Sequence, residues 1–573
     1  MGFKLIKTGV KGTLMTTAIN RMMVHNGRKS VHALDDMSKD AVKISEETLM
    51  RLLDENKDTE YGQKYGFADI HSIEDYKKKV PLSDYDTYAP YIERMVKKDE
   101  GNLLSVSRPV HYAVSSGSIG VPKYIPVSED ELEKYKTFGT GMVFGSVDEY
   151  YRNTTGKTLM TKFGFNMIQM KFSETKFGIP KGAISGNIMK QVKDFAKYFI
   201  SPPWDVIVPK ADMDFKYLRA RFALERKDIS FINGAFMTAV VDEMDYICNN
   251  WEMLCKDIHY GRIDKKIEMP EVWRKKFESM LKPNPKRARK LSREFKKGKE
   301  EIIPRIWPEI KFVAAIGTGG FFTYYKKMRM YTGRNVPFSN MSYAASEGLF
   351  ATARHVGDTS YVLIPNGGFY EFIPADAEDE TETLTIDQLE EGEKYEIVIT
   401  NLSGFYRYRI KDVVRVTGFY NQAPMLEFVY RKNQVVSIAG EKTNGEVVDW
   451  SIQQAEKETG LDIHDFSIYA DTSTEPGHYT FIVELPDTIS MKKREHLRNV
   501  LEQKMMTANP SFGEKIRTGV LGKTELVLVQ QQTYQLYRDI MVMKGTSPNQ
   551  LKPVRVIDTP IKHDFFFGLK EPD

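Results

Sequence analysis

The sequence is poor in cysteine, in long apolar runs and in net charge, and each shortage excludes a class of protein. Its two cysteines, Cys248 and Cys255, are too few for a disulfide framework, so a reducing compartment is expected. No stretch approaches the roughly 20 apolar residues of a membrane-spanning helix. The 82 basic and 78 acidic side chains leave a net charge of +4, which predicts neither a nucleic-acid binder nor an acidic tail. Any anion-binding site must therefore be local.

The chain is long enough for more than one folded unit. Its 573 residues exceed the roughly 250 to 300 at which single cores stop growing, and 41% hydrophobic with 28% charged residues is typical of a folded protein. Basic residues interrupt the apolar N-terminus, and Ile6 stands where myristoylation of Gly2 requires Ser or Thr. Neither a signal peptide nor that anchor is expected, and we expect a monomeric cytoplasmic protein.

Helices and strands alternate through the first four hundred residues. Apolar spacing predicts a helix behind a Ser38 cap, and RPVHYAV predicts a short strand. Ser128 and Glu131 predict a capping box at the start of the next helix. A buried strand, a turn at Gly317–Gly320 and a helix ended by Gly333 are predicted further on. The alternation favours an α/β body.

The pattern changes beyond Arg431. EVVDWSIQQAEKETG and MKKREHLRNVLEQKMM predict helices, DFSIYADTSTEPGHYTFIVEL predicts an antiparallel strand pair, and TELVLVQQ predicts a further strand. The sequence therefore predicts a large domain over residues 1–431 and a smaller α+β domain over residues 432–573.

The densest charged segment is KRARKLSREFKKGK, from Lys286 to Lys299. Nucleic-acid binding by such a segment would favour interleaved aromatic residues for stacking, and only Phe295 is present. A solvated helix face is predicted instead, and no nucleic-acid partner is expected.

The segment VSSGSIGVPKYIP, from Val114 to Pro126, has the composition of a phosphate-binding loop. Glycines let successive backbone N–H groups converge on an anion, while the serine hydroxyls and Lys123 add donors and charge. The segment is not a P-loop, because Lys123 is not followed by Ser or Thr and the glycine spacing differs. An ordinary Gly/Ser surface loop is the alternative.

Three further segments contain candidate site residues. Gly317–Gly320 lies between a strand and a helix but lacks the full dinucleotide-binding pattern. Glu347 ends a predicted strand, where it is either a surface residue or, near phosphates, a Mg²⁺ ligand. Residues Gly404–Tyr420 alternate with period two and predict a strand with a buried Asp412. A structural salt-bridge network is the alternative for Asp412 and the arginines near it, Arg407, Arg409 and Arg415.

Four segments together resemble one family. They are SSGSIGVPKYIP, SYAASEG, GGFYEFIP and FYRYRIKDVVRVTGFYNQAPMLEFVYRKNQVVSI. The chain resembles the plant auxin-responsive (Gretchen Hagen) acyl acid amido synthetases, in particular their bacterial-type members, within the adenylate-forming superfamily. The resemblance spans almost the whole chain. It implies an α/β large domain with mixed sheets and helices, and a smaller, mobile α+β C-terminal domain.

The resemblance also implies an activity. Members of the family use ATP with Mg²⁺ to activate a carboxylic acid as an acyl-adenylate, and then transfer the acyl group to an amine to give an amide. A small carboxylic acid and an amine, such as an amino acid, are therefore the expected partners of an ATP-dependent ligase. The family's motifs contain neither the acyl pocket nor the acceptor site, so they predict neither substrate.

The family's motifs imply which residues hold the phosphates. Ser115, Ser116 and Ser118 match the phosphate loop, and Lys123 lies in its tail. Glu347 matches the glutamate expected near Mg²⁺ and the α-phosphate, where preorganised charge stabilises the transition state most.

The same motifs imply a nucleoside site and two mobile lysines. Tyr343 and Ala344 would lie along adenine, and Asp412 would accept hydrogen bonds from both ribose hydroxyls. Lys552 matches a C-terminal lysine that swings onto the phosphates when the domains close, and Lys432 lies at the hinge. A solvated surface lysine is the alternative for both.

One residue departs from the family's pattern. The family has a further Ser or Thr at the position of Ile119, so the loop lacks one candidate phosphate donor. Two alternatives therefore remain beside the amide-forming ligase: an acyl-CoA ligase that uses coenzyme A as acceptor, and a non-catalytic nucleotide-binding relative.

Overall fold

The structure is a computed structural model that describes residues 10–115, 123–170, 173–377, 382–432, 436–439, 441, 443–546 and 551–572. Its helices before residue 340 are α1 (Val10–Lys39), α2 (Ala41–Asn56), α3 (Glu60–Lys64), α4 (Ile73–Lys79), α5 (Tyr85–Lys98), α6 (Glu129–Lys134), α7 (Met142–Thr155), α8 (Ile184–Gln191), α9 (Lys193–Ala196), α10 (Trp204–Ile207), α11 (Phe215–Glu225), α12 (Met237–Asn249), α13 (Trp251–Tyr260), α14 (Glu271–Glu278), α15 (Pro285–Phe295), α16 (Ile302–Ile306) and α17 (Phe322–Thr332).

Three sheets belong to the N-terminal domain. Their strands are β1 (His111–Ser115), β2 (Lys123–Val127), β3 (Phe163–Asn166), β4 (Ser173–Glu174), β5 (Pro180–Gly182), β6 (Ile200–Ser201), β7 (Ile229–Phe236), β8 (Phe312–Ile316), β9 (Phe338–Ser339), β10 (Ser342–Ala345), β11 (Gly348–Thr352), β12 (Tyr361–Leu363), β13 (Gly368–Pro374), β14 (Lys394–Asn401), β15 (Tyr408–Tyr420) and β16 (Ala423–Arg431).

These sheets differ in strand direction. A five-stranded sheet, β6-β3-β7-β8-β9, is parallel, and buried helices such as α12 pack against it. A seven-stranded sheet, β10-β11-β12-β16-β15-β14-β13, is antiparallel and shares a core with α2 and α5. The third sheet, β2-β1-β5-β4, has mixed strand directions.

The C-terminal domain has its own mixed sheet and core. Its elements are α18 (Gly445–Thr459), β17 (Asp465–Asp471), β18 (His478–Glu484), α19 (Met491–Ala508), α20 (Pro510–Arg517), β19 (Glu525–Val529), α21 (Thr533–Met543), β20 (Val556–Ile557) and α22 (Pro560–Gly568). The sheet order is β19-β18-β17-β20, and α18 and α19 cover it. The α/β fold class, with a large N-terminal and a smaller α+β C-terminal domain, is confirmed. None of the helices in the described residues has the length and apolarity that crossing a membrane requires.

One helix start and one half of a capping box differ from the sequence prediction. Ser38 caps no helix, because it lies within α1, and Asp40 precedes α2. Ser128 does cap α6, since its hydroxyl accepts the N–H of Glu131 at 3.2 Å. Glu131 does not complete the capping box, because its carboxyl group instead accepts the N–H of Leu349 on β11 at 2.9 Å. A tertiary contact replaces the local one.

Two other predictions are partly right. The strand predicted over Gly404–Tyr420 begins only at Tyr408, because Gly404 and Arg407 have φ of 102° and 49°, outside the β region. The basic segment forms helix α15 with its other basic side chains exposed, as predicted, except for Arg287. Arg287 is buried and donates to the carbonyl oxygens of Leu224 and Arg226, both at 2.7 Å.

Candidate active site

Asp412 and Arg431 form an ion pair where β15 and β16 lie side by side. They are direct cross-strand partners, and Arg431 Nε donates to Asp412 Oδ1 at 2.5 Å. The hydroxyl of Tyr343, on β10, donates to Asp412 Oδ2 at 3.0 Å. Burial alone would lower the pKa of Arg431, but the charge and hydrogen bond of Asp412, together with the Glu347 charge, raise it above its ordinary value. The Asp412 side chain therefore lies between a cation and a phenol.

A bulge in β15 places Asp412 in this position. Arg409 pairs with Val398 and Val413 pairs with Glu396, so three residues of β15 lie opposite the single residue Ile397 of β14. Lys411 within the bulge has a φ of 63°, an uncommon conformation for a side chain with a Cβ. Bulges of this kind change the direction of a side chain next to a site. Here Lys411 is exposed and Asp412 is buried.

Glu347 lies in the tight turn between β10 and β11. Tyr408, the first residue of β15, donates its hydroxyl to Glu347 Oε1 at 3.2 Å, and the Asn401 side-chain amide donates to the Glu347 carbonyl at 2.7 Å. Burial raises the pKa of Glu347, and the nearby Arg431 charge opposes that rise. The hairpin thus places a second carboxylate near the Asp412–Arg431 pair.

Lys552 of the C-terminal domain reaches the same place. The pKa of Lys552 is lowered, mainly by desolvation and further by the Arg431 charge. The charges of Asp412 and Glu347 oppose this shift. The residue nevertheless keeps an exposed surface, so it lies at the mouth of the site. An ammonium from one domain therefore lies near two carboxylates of the other.

Lys432, directly after β16, is held by a different carboxylate. Its Nζ lies 3.0 Å from Glu396 Oε2, and Arg409 donates to both oxygens of Glu396 at 2.7 and 2.6 Å. Glu396 is fully buried on β14. The predicted hinge lysine is thus tied to the large sheet in this arrangement.

The ends of the predicted phosphate loop come together in a hairpin. Ser115 ends β1 and pairs with Lys123, the first residue of β2, while Ser116, Ser118 and Ile119 lie outside the described residues. The Lys123 ammonium lies 4.7 Å from the ring centre of Tyr85. Burial raises the pKa of Tyr85, and Glu347 is among the charges that raise it further, so the base of the loop lies near Glu347.

Ala344 is exposed beside aromatic residues. A bulge between Tyr343 and Ala344 leaves Ala344 open to solvent while Tyr343 is buried. The Tyr343 and Phe428 rings lie 6.3 Å apart, and a Cβ on Gly319 would lie 3.6 Å from the Phe428 ring. The glycine turn after β8 thus closes one side of this surface.

The three arginines predicted near Asp412 pair with other carboxylates. Arg407 pairs with Glu371, Arg409 with Glu396, and Arg415 with Glu427 and Glu446. The salt-bridge alternative is therefore right for these three residues, whereas Asp412 pairs with Arg431. Sequence reasoning missed Arg431 and Tyr408 as site residues. Their signal was present, because Tyr408, Asp412 and Arg431 all lie within the same family motif, and the strand register pairs Asp412 with Arg431.

No group of three or more His, Cys, Asp or Glu side chains that could hold a metal occurs in the described part of the chain. A lone carboxylate still fits Mg²⁺, because this ion is often bound by one or two carboxylates together with substrate phosphates. Glu347, partly exposed beside the base of the loop, is the residue that fits this requirement.

The fold and site define a class, that of two-domain enzymes in which a C-terminal lysine meets carboxylates of the large domain. The fold matches the GH3.15 acyl acid amido synthetase with a TM-score of 0.83 at 23% identity, over 95% of this chain and 96% of that one. Models of the GH3 family N-terminal, central and C-terminal domains match residues 30–338, 361–431 and 446–561. The chain belongs to the GH3 family, which confirms the resemblance.

Two relatives extend over nearly the whole chain. Jasmonoyl--L-amino acid synthetase GH3.5 of Oryza sativa subsp. japonica is 27% identical over 572 residues, covering 94% of this chain and 96% of its own length. The 4-substituted benzoates-glutamate ligase GH3.12 of Arabidopsis thaliana is 28% identical over 552 residues, covering 91% of this chain and 94% of its own length. Both are named as ligases or synthetases that join an acid to an amino acid.

Proposed function

We propose that this chain is an ATP-dependent ligase that activates a small carboxylic acid as an acyl-adenylate and transfers the acyl group to the amine of an amino acid. One observation carries the proposal: Asp412, Glu347 and Lys552 come from separate segments and two domains, yet lie within electrostatic reach of one another. The relatives' names support the substrate classes of an acid and an amino acid.

Asp412 would hold the ribose of ATP, with adenine along Tyr343 and Ala344. Each oxygen of Asp412 accepts one hydrogen bond, from Arg431 or from Tyr343, and an ionised carboxylate has about four acceptor positions. Two positions therefore remain for the vicinal hydroxyls of a ribose. The exposed backbone at Ala344 and the Phe428 ring provide a flat surface for a base.

Glu347 and the loop after Ser115 would hold the phosphates. Ser115, Ser116, Ser118 and Lys123 supply hydroxyls and charge in the family's motif, and Glu347 supplies the carboxylate for Mg²⁺. When bound, Mg²⁺ would neutralise the negative charge of the phosphates. Without the ion, the Glu347 carboxylate would repel them. Both cofactors, ATP and Mg²⁺, are thus part of the proposal.

Lys552 would neutralise the charge that develops on the α-phosphate as the acid attacks. In that step the carboxylate oxygen bonds to the α-phosphorus, the bond to the bridging oxygen breaks, and pyrophosphate leaves. AMP then serves as a leaving group far better than oxide, so an amine can displace it and form an amide. Because desolvation lowers the pKa of Lys552, its ammonium loses the proton at a lower pH than an ordinary lysine does.

We place the domain boundary between Arg431 and Lys432, with a mobile C-terminal domain. Glu396 would release Lys432 as the domain rotates, because their ion pair spans the junction. The arrangement before rotation excludes water from the acyl-adenylate, and rotation then exposes the acyl-adenylate to the amine. We further propose that the protein acts as a monomer in the cytoplasm, where Cys248 and Cys255 stay reduced.

Exchange of labelled pyrophosphate into ATP across a panel of carboxylic acids tests the proposal. We expect exchange with at least one acid, loss of exchange in Glu347→Ala and Asp412→Ala, and wild-type exchange in Glu391→Ala, a matched change at an exposed glutamate. Mass spectra of the products with amino acids and with coenzyme A then identify the acceptor. Binding of ATP without exchange for any acid would contradict an enzyme, and a thioester product would contradict the amide.

A further inference from the structure

Ion pairs made by residues other than those proposed to bind ATP also join the two domains. Glu446, at the start of α18, pairs with Lys394 and Arg415 of the large sheet. Lys326 on α17 lies 2.8 Å from Glu456. These pairs are partly exposed, so each contributes little alone. A further contact, made by Arg538, differs because it is buried.

Arg538 extends from α21 of the C-terminal domain into the N-terminal domain. Its Nε and Nη2 donate to the two oxygens of Asp242 on α12, at 3.0 and 2.9 Å. Its Nη1 donates to the Tyr324 hydroxyl on α17 at 2.6 Å. The side chains of Arg538 and Asp242 are only 9% and 12% exposed, so this bidentate pair is shielded from solvent.

Arg538 is also connected to the segment that carries Lys552. Its Nη1 lies 3.3 Å from Asp465 Oδ2 on β17, and Arg555 Nη1 donates to Asp465 Oδ1 at 2.6 Å. Arg555 also donates to the Phe466 carbonyl at 2.9 Å, and its own carbonyl accepts the N–H of Ile468. Arg555 follows Lys552 by three residues, so β17 fixes both the Arg538 end and the Lys552 end of this connection.

We propose that Asp242 is a positioning residue for adenylation. By holding Arg538 at both oxygens, Asp242 fixes the C-terminal domain in the arrangement that places Lys552 beside Asp412 and Glu347. When the domain rotates, Arg538 keeps Asp465, which belongs to its own domain, and gives up Asp242 and Tyr324. The pair therefore stabilises one arrangement only, and it acts on one half-reaction. This inference rests on the proposed function.

Asp242→Asn tests the role, because it removes the charge and keeps the shape. We expect the turnover of pyrophosphate exchange to fall about ten-fold, since loss of the pair shifts the domain equilibrium away from adenylation. The KM for ATP is expected to change less than about two-fold, because Asp242 lies outside the ATP-binding residues. Amide formation from a chemically prepared acyl-adenylate is expected to stay at the wild-type rate.

Four variants separate positioning from general damage. Asp205→Asn makes the same substitution at an ion pair with Lys276 that lies inside the N-terminal domain and is more exposed, and it is expected to leave both half-reactions unchanged. Asp242→Glu keeps the charge and is expected to recover much of the exchange rate. Arg538→Gln also removes the contacts with Tyr324 and Asp465, so it is compared with its own double variant. Adding Asp242→Asn to Arg538→Gln is expected to lower exchange by less than about a further two-fold, because the Asp242–Arg538 pair is already broken.

Equal losses in exchange and in amide formation would overturn the positioning role, and so would an unchanged exchange rate in Asp242→Asn. Small-angle X-ray scattering provides a readout that does not require activity: Asp242→Asn is expected to populate more extended conformations than Asp205→Asn. A wild-type protein without exchange would contradict the proposed function. Scattering would still test whether Asp242 fixes the domain arrangement.

Discussion

Glu131 provides a quantitative prediction, because it is a carboxyl group buried beneath the hairpin that carries Glu347. It is 1% exposed, its Oε1 accepts the N–H of Leu349 at 2.9 Å, and its Oε2 has no hydrogen-bond partner in the described part of the chain. Burial raises the pKa of Glu131 to about 8. The folded protein therefore keeps this carboxyl protonated at neutral pH.

The raised pKa of Glu131 makes the protein less stable as pH rises. Below 4.5, the ordinary value, both folded and unfolded chains hold the proton, so stability is full there. Between 4.5 and about 8 only the folded chain holds it, and the free energy of unfolding falls by about 1.4 kcal/mol per pH unit. The loss across this window is on the order of 5 kcal/mol.

Glu131→Gln removes this dependence, because an amide does not titrate and its oxygen still accepts the Leu349 N–H. Urea unfolding of both proteins at several pH values between 5 and 8 measures it. We expect the advantage of Glu131→Gln over wild type to grow by about 4 kcal/mol from pH 5 to pH 8. Glu133→Gln changes an exposed glutamate on the same helix and should run parallel to wild type. Parallel curves for Glu131→Gln would refute the buried, protonated carboxyl.

The remaining predictions concern the ATP site. Asp412→Asn is expected to weaken ATP binding about ten-fold with a smaller change in turnover, because ground and transition states share the ribose contacts. Calorimetry measures the ATP affinity, and an unchanged affinity would contradict ribose binding by Asp412. Lys552→Ala should slow exchange far more than it weakens ATP binding, and equal losses would argue against a lysine that acts on the α-phosphate. Because desolvation and Arg431 lower the pKa of Lys552, exchange should decline with rising pH before the ordinary 10.5 is reached. Lys552→Arg should move that decline to higher pH, and an unmoved decline would assign it to another group.

The sequence predicted elements where local pattern and tertiary context agree. The C-terminal helices and strands follow their apolar periodicity, and Gly333 ends α17 with a φ of 68° as a glycine after a helix often does. Ser38 shows the opposite case, because a helix that packs on α7 continues through it. A residue type that favours a helix start does not end a helix whose packing against another helix continues past that residue.

The candidate site was predictable in its residue types but not in its pairing. The motif contains Asp412 and Arg431, yet only the register of β15 and β16 makes them an ion pair. Asp242 and Arg538 are separated by nearly three hundred residues and have no local signal. Contacts of this kind depend on how the two domains pack together. The hydrophobic periodicity of the sequence carries no information about that packing.

The central claim is that an acyl-adenylate forms, and a carboxylic acid labelled with heavy oxygen in its carboxyl group tests it most directly. If the acid attacks the α-phosphorus, one carboxyl oxygen bridges to AMP and stays there when the amine displaces it. We therefore expect one heavy oxygen in the AMP released for each amide formed. Heavy oxygen in inorganic phosphate together with ADP, or unlabelled AMP, would contradict it.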